Sequence, residues 1–135
     1  MDLEYINNLK KIKKEKELIL EKEREITKPI ITDFSLLAKI LTIFLSSQKS
    51  KGCLSNNVFF LVVMALYSPS YYVGYKMENR LRRELLKISQ YRYPNNISYV
   101  CRCAVDQYMI YKDLRAETSE MINLIISTLK DDGDI

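Results

Sequence analysis

Tyrosine and arginine are concentrated in the middle of the chain, and both residue types are suited to binding. Tyrosine offers a large contact area with a polar end, and arginine offers a planar fork of donors for phosphate or carboxylate. A nucleic acid would use the arginines on its phosphates and the rings against its bases, whereas a protein partner would use both as interface anchors. In a third interpretation, the rings cover the edge of the core and the arginines stay solvated. The residues concerned are Tyr67, Tyr71, Tyr72, Tyr75, Tyr91, Tyr93 and Tyr99, with Arg80, Arg82, Arg83, Arg92 and Arg102.

Helical spacing predicts how part of this region is displayed. Apolar residues recur every three to four positions over residues 75–89, with basic residues on the opposite face, so we predict a helix there. A loop at 90–95 and a second helix capped by Asn96 or Ser98 follow. The apolar stripe is Met77, Leu81, Leu85 and Ile88, and the basic face is Lys76, Arg80, Arg83 and Lys87.

This order of elements resembles a helix-turn-helix, in which the second helix enters the major groove of DNA. The turn departs from that motif because it has about six residues, contains Pro94 and lacks the usual glycine. On this mapping Arg80, Arg83 and Lys87 hold phosphates, while Asn95 and the residues after it face bases. The full candidate set is Lys76, Arg80, Arg83, Lys87, Arg92, Asn96, Ser98, Tyr99 and Arg102.

Several common catalytic arrangements are absent from the sequence. The chain has no histidine, the commonest general base and zinc ligand, and its three glycines are isolated, so it has no glycine-rich phosphate loop. Cys101 and Cys103 are two residues apart on a predicted helix and point to nearly opposite sides, so they cannot share a metal or form a disulfide. The sequence therefore predicts a protein that is not an enzyme, with no metal, no cofactor and no small-molecule substrate.

Cysteine usage and hydropathy predict the compartment. Three cysteines leave at least one thiol free, and the polar start lacks the apolar core of an export signal. Apolar runs at residues 34–45 and 58–66 each have roughly half of the ~20 residues that a membrane-spanning helix requires. We therefore predict a cytoplasmic protein with no membrane partner.

Length and composition predict a single all-α domain of about five helices. A chain of 135 residues with three glycines and three prolines has room for one core and too few turn residues for many short strands. The run at 58–66 suits a strand or a helix, and we choose a helix because no second strand is evident. The helix that contains the apolar run 34–45 should be capped by Thr32 or Asp33 and should end at Gly52. A cap at residues 55–57 should begin the helix that contains the run 58–66. Residues 96–129 form one long helix or two shorter ones.

The chain is expected to divide into an N-terminal amphipathic helix at 1–28, a helical core at 29–130 and an acidic disordered tail at 131–135. The first helix repeats apolar residues in a 4-3 pattern, but Lys16 and Glu23 occupy the second seam position. Because half of that stripe is polar, the pattern favours a long amphipathic helix over a self-sufficient coiled coil. The protein-interface residues predicted on it are Tyr5, Leu9, Ile12, Ile19 and Ile26.

A segment within residues 66–115 resembles small helical proteins of tailed phages and mobile elements of gut Bacteroidales. The matching stretches are Leu66-Tyr67-Ser68-Pro69, Gly74-Tyr75-Lys76-Met77, Leu81-Arg82, Ile97-Ser98 and Tyr111-Lys112-Asp113-Leu114-Arg115. The resemblance implies a phage or mobile-element product, either a DNA-binding accessory or a virion component. It assigns no functional residue.

Two functions follow from these patterns. The first is nucleic-acid binding through the basic, tyrosine-rich helix-loop-helix, since residues 53–115 carry nine Lys and Arg against four Asp and Glu. The alternative is a structural or assembly component of a phage particle that acts through protein contacts, with a protein partner or by self-association.

Overall fold

The computed structural model describes residues 3–47 and 54–135, and these residues form six α-helices and two short 3-10 helices, with no strand. The all-α prediction is confirmed. There is one helix more than the five expected because the last helical pattern divides at Tyr111, which has an extended backbone. The α-helices are α1 (Leu3–Ile26), α2 (Leu37–Ser47), α3 (Leu54–Tyr67), α4 (Asn79–Ile88), α5 (Pro94–Ile110) and α6 (Lys112–Asp131), and the 3-10 helices are Phe34–Leu36 and Pro69–Val73.

Helix α3 lies at the centre of the protein. Its residues 58–64 are all buried, and α2, α5, α6 and the 3-10 helix Pro69–Val73 pack around it. A helix that is apolar on every side needs such a complete cover. The choice of helix over strand for this run is confirmed, whereas the cap predicted at residues 55–57 is wrong because the helix already includes Leu54. Gly52 and Cys53 lie outside the described residues.

Helix α2 covers one side of α3 with a stripe of three buried residues, Leu37, Ile40 and Phe44. The Asp33 carboxylate accepts the Ser35 N–H at 2.9 Å and caps the turn that leads into it, as the sequence predicts. Leu45 is predicted on the inner face but is 58% exposed. At 100° per residue it lies about 80° from Leu37, which turns it to solvent.

The basic helix is shorter than predicted. Gly74 ends the preceding 3-10 helix in a left-handed conformation with φ +97°, and residues 75–78 are not helical, so α4 begins at Asn79. Within α4 the predicted faces are present. Leu81 and Leu85 are fully buried, whereas Arg80, Arg83 and Lys87 are exposed.

The second helix of the pair starts earlier than predicted. Pro94 occupies its first turn, a position where the missing proline N–H costs nothing. The cap residue is Tyr93, which makes no side-chain capping bond, and Asn96 and Ser98 therefore lie inside α5. The predicted caps at these two residues are wrong.

The C-terminal residues differ from the disordered tail that the sequence predicts. Helix α6 continues to Asp131, and Gly133 adopts a left-handed conformation that lets the Asp134 N–H donate to the Leu129 carbonyl at 2.9 Å. Lys39 of α2 pairs with Asp132 at 2.8 Å and also with Asp134. These contacts join the end of the chain to the core.

Helix α1 contributes no residue to the core. A contact with the rest of the protein lies near its C-terminal end, where the Tyr75 hydroxyl donates to the Glu23 carboxylate at 3.2 Å. The predicted interface residues Tyr5, Leu9, Ile12, Ile19 and Ile26 are all exposed. Along the described ranges, we find no helix with both the length and the apolar character to cross a membrane.

Candidate nucleic-acid interface

A cleft of about 700 Å³ separates α4 and α5 from the segment after the second 3-10 helix, and we call it the basic cleft. Its wall contains three cationic side chains, from Lys76, Arg82 and Arg102, and one carboxylate, from Asp106. The volume lies in the range of small-ligand sites. The remaining lining residues are Tyr71, Tyr72, Gly74, Tyr75, Met77, Asn79, Ser98 and Val105.

Arg82 is held in a fixed position in the wall of the cleft. Its Nη1 donates to the Ser98 hydroxyl at 3.2 Å and its Nη2 to the Asn79 side-chain oxygen at 2.6 Å. Its Nε is buried and has no hydrogen-bond partner, and the ion pairs of the described residues do not include Arg82. The buried Nε lies out of a ligand's reach, but Nη1 and Nη2 each keep a second N–H that can donate to an acceptor brought by a ligand.

The tyrosines divide into two groups. Tyr67, Tyr71, Tyr72 and Tyr91 are buried or half-buried and pack against the core, as the third interpretation of the tyrosine cluster expects. Tyr75, Tyr93 and Tyr99 are 50%, 61% and 71% exposed. These three rings are therefore accessible to a partner.

Hydrogen bonds and pKa shifts distinguish the tyrosines of the cleft wall. The Tyr71 hydroxyl donates to the Ser98 carbonyl at 3.2 Å, and the Tyr72 hydroxyl donates to the Leu61 carbonyl at 2.6 Å. Burial raises the pKa of both phenols, and neighbouring Arg102 opposes part of that rise at Tyr71. Both rings are thus neutral structural parts of the wall.

The outward face of α4 continues the basic surface beyond the cleft. The Arg80 guanidinium lies over the Phe34 ring, 4.9 Å from its centroid, and Lys87 pairs with Glu84 at 3.0 Å. Arg83 is exposed, as is Arg92 in the loop before α5, and neither belongs to an ion pair of the described residues. Both cations are therefore available to an anionic partner.

The structure places the nine predicted residues in three groups. Lys76, Ser98 and Arg102 line the cleft, and Arg80, Arg83 and Lys87 lie on the outer face of α4. Arg92, Asn96 and Tyr99 are exposed at or just before the start of α5. Ser98 is half-buried and bonded to Arg82, so it is turned toward α4 and not outward as a base contact requires.

Arg82 is the cation of the cleft wall that the predicted set of nine residues lacks. It lies next to the buried Leu81 and about 100° away on the helix, at the edge between the apolar stripe and the basic face. Spacing within α4 therefore places Arg82 at the boundary between the buried and the exposed face. It does not show that α5 packs beside Arg82 and completes the cleft.

The two described cysteines have different surroundings. Cys101 is fully buried, and burial raises the pKa of its thiol to about 12. Cys103 is half-buried beside Tyr99, and its contact with that hydroxyl raises the pKa of Tyr99. Within residues 3–47 and 54–135, no three His, Cys, Asp or Glu residues come together as a metal site would require.

Comparison of the chain with known protein families, characterised proteins and solved structures finds no match. The functional argument therefore depends on the cleft and on the surfaces around it.

Proposed function

We propose that the protein binds single-stranded nucleic acid through the basic cleft and the adjoining outer face of α4. The observation that carries this proposal is the wall of the cleft. It gathers Lys76, Arg82 and Arg102 against one carboxylate. A phosphate brings acceptor oxygens and the matching charge to these cations.

The surroundings of the cleft favour a polymer over a small anion. Arg83 on α4 and Arg92 in the loop before α5 are further exposed cations, so that several phosphates of one strand have candidate partners. Tyr75, Tyr93 and Tyr99 present exposed rings on which unpaired bases stack. The inward position of Ser98 argues against a recognition helix in a duplex groove, which is why a single strand is proposed.

A salt titration of oligonucleotide binding tests the proposal. Single-stranded affinity should fall steeply as salt rises, and the double variant Arg83→Gln/Arg102→Gln should lower the slope of log Kd against log salt by about 1.4, because two phosphate contacts are lost. Fluorescence anisotropy with a labelled single strand and a labelled duplex gives both slopes.

The matched control is Lys112→Gln/Lys130→Gln, which removes two exposed cations from α6, away from the cleft. It should leave the slope within experimental error of the unaltered protein. Lack of single-strand binding at low salt would overturn the proposal, and so would equal slopes for the two double variants. Tighter binding of the duplex would instead favour the helix-turn-helix mapping.

We propose an assembly role through protein contacts as a second candidate, because α1 exposes apolar residues along its whole length. The resemblance to phage proteins suggests a particle component. If the protein has this assembly role, it should sediment with phage particles purified from an induced host. Immunoblotting of gradient fractions measures whether the protein and the particles sediment together. A protein found only in the particle-free fractions would contradict this role.

A further inference from the structure

Helix α1 carries an apolar stripe whose Leu9, Ile12, Ile19 and Ile26 side chains are exposed. The seam positions of its heptads, conventionally named a and d, are Leu9, Lys16 and Glu23 at a, and Tyr5, Ile12, Ile19 and Ile26 at d. Leu9 and Ile12 are each about half exposed, and Ile19 and Ile26 are 64% and 82% exposed. Water around a stripe of this kind is unfavourable, so covering it with another apolar helix stabilises the protein.

The charged seam residues decide which helix suits the stripe. In a parallel pair with a second copy, equal positions face each other, so Lys16 would face Lys16 and Glu23 would face Glu23. Two like charges in adjacent seam layers oppose that arrangement. Glu15 and Lys22 flank the seam. In a parallel pair Glu15 would face the uncharged Leu20 of the second helix, and Lys22 would face the uncharged Thr27.

An antiparallel pair removes these conflicts. When each a residue packs against a d residue of the other helix, Leu9 meets Ile26, Ile12 meets Glu23 and Lys16 meets Ile19. In this register Lys16 lies within one turn of Glu23 of the second copy, close enough for its long side chain to pair with it. The flanking residues also become complementary, because Glu15 lies opposite Lys22.

We infer that α1 pairs antiparallel with α1 of a second copy of this chain over residues 9–26. Each helix then covers the stripe of the other, and two symmetric sets of Lys16–Glu23 and Glu15–Lys22 pairs fix the direction. Glu23 accepts the Tyr75 hydroxyl at 3.2 Å and, as a carboxylate, has acceptor capacity left for Lys16 of the second copy. The inference is independent of nucleic-acid binding, and it rests on the same helix as the assembly role, for which it names the partner.

Charge reversal in the full-length protein tests both the pairing and its direction. Lys16→Glu or Glu23→Lys alone places like charges together in the antiparallel pair and should weaken self-association about tenfold. An equimolar mixture of the two single variants restores complementary charges in the mixed pair, as does the double variant, and both should associate like the unaltered protein. Sedimentation equilibrium across micromolar concentrations measures the dissociation constants.

Lys14→Glu and Glu21→Lys are the controls, because they make the same charge changes on the face of α1 away from the seam. They should leave the dissociation constant unchanged, and circular dichroism should show equal helix content in all variants. A protein that stays monomeric at every concentration would overturn the inference. So would single reversals that associate as well as the unaltered chain, which is the result for a parallel pair. Either result removes an antiparallel second copy as the partner of α1, whereas the assembly role itself is tested separately by sedimentation with particles.

Discussion

Replacing Leu61 by alanine is expected to lower the free energy of unfolding by about 2 to 5 kcal/mol, the range for a leucine deleted from a close-packed interior. Leu61 has no exposed surface and lies in α3, against which α2, α5 and α6 pack. Because these helices also pack against other residues of α3, none can move inward to fill the space without losing contacts. Chemical denaturation followed by circular dichroism measures the change.

Leu45→Ala in α2 is the matched control for this substitution. It removes the same atoms from a side chain that is 58% exposed, so the change should stay near 0.5 kcal/mol, as for ordinary surface substitutions. The total stability of a domain of this size is about 5 to 15 kcal/mol. Leu61→Ala should therefore shift the midpoint of unfolding clearly. Equal effects at the two positions would show that α3 does not lie at the centre.

Stability should also fall steeply above pH 10 because two tyrosines are buried. The Tyr67 hydroxyl donates to the Asp33 carbonyl at 2.8 Å and the Tyr72 hydroxyl donates to the Leu61 carbonyl at 2.6 Å. Burial raises the pKa of both phenols above the ordinary value of 10. As pH rises past 10, the unfolded chain releases these two protons while the folded chain keeps them, so ionisation favours unfolding. Each tyrosine contributes up to about 1.4 kcal/mol per pH unit until its folded pKa is reached.

The double variant Tyr67→Phe/Tyr72→Phe isolates this contribution. At neutral pH it should be less stable by about 1 kcal/mol for each hydrogen bond removed, yet its stability should change less between pH 10 and pH 11. Tyr93→Phe is the control, since that ring is 61% exposed and lies outside the core. Urea titrations at neutral pH, pH 10 and pH 11 provide the comparison. A double variant with an unchanged pH slope would show that the two phenols titrate as they do in water.

The sequence predicts the fold well where hydrophobic patterns are long. The all-apolar run in α3 and the stripe of α4 determine burial directly, because few arrangements of a 135-residue chain cover them. Boundaries and the orientation of single residues are predicted less well. Leu45 is exposed although it lies only one residue after the buried Phe44 in the helix. The docking of the last five residues depends on Lys39, which lies 93 and 95 residues earlier in the chain than Asp132 and Asp134.

The candidate site is predicted in part for a related physical reason. Exposed cations on one helix face follow from spacing, and Arg80, Arg83 and Lys87 are predicted in this way. The cleft, in contrast, depends on how closely two helices approach and on where the segment after Gly74 lies. Spacing within α4 shows neither the approach of α5 nor the position of that segment. The structure is therefore needed to see that Arg82 bonds to Ser98 and that the Arg82 Nε has no partner.

The central position of α3 has a consequence for the newly made chain. The most apolar helix is synthesised before the two helices that pack against it, α5 and α6. At ordinary rates of translation, the 64 residues between Tyr67 and Asp131 take about 3 to 13 s to add. During that interval α2 and the 3-10 helix Pro69–Val73 cover only part of α3. The remaining apolar surface of α3 is exposed to other nascent chains and to chaperones. The protein reaches its native form after synthesis is nearly finished, and a polypeptide stopped before α6 is expected to aggregate.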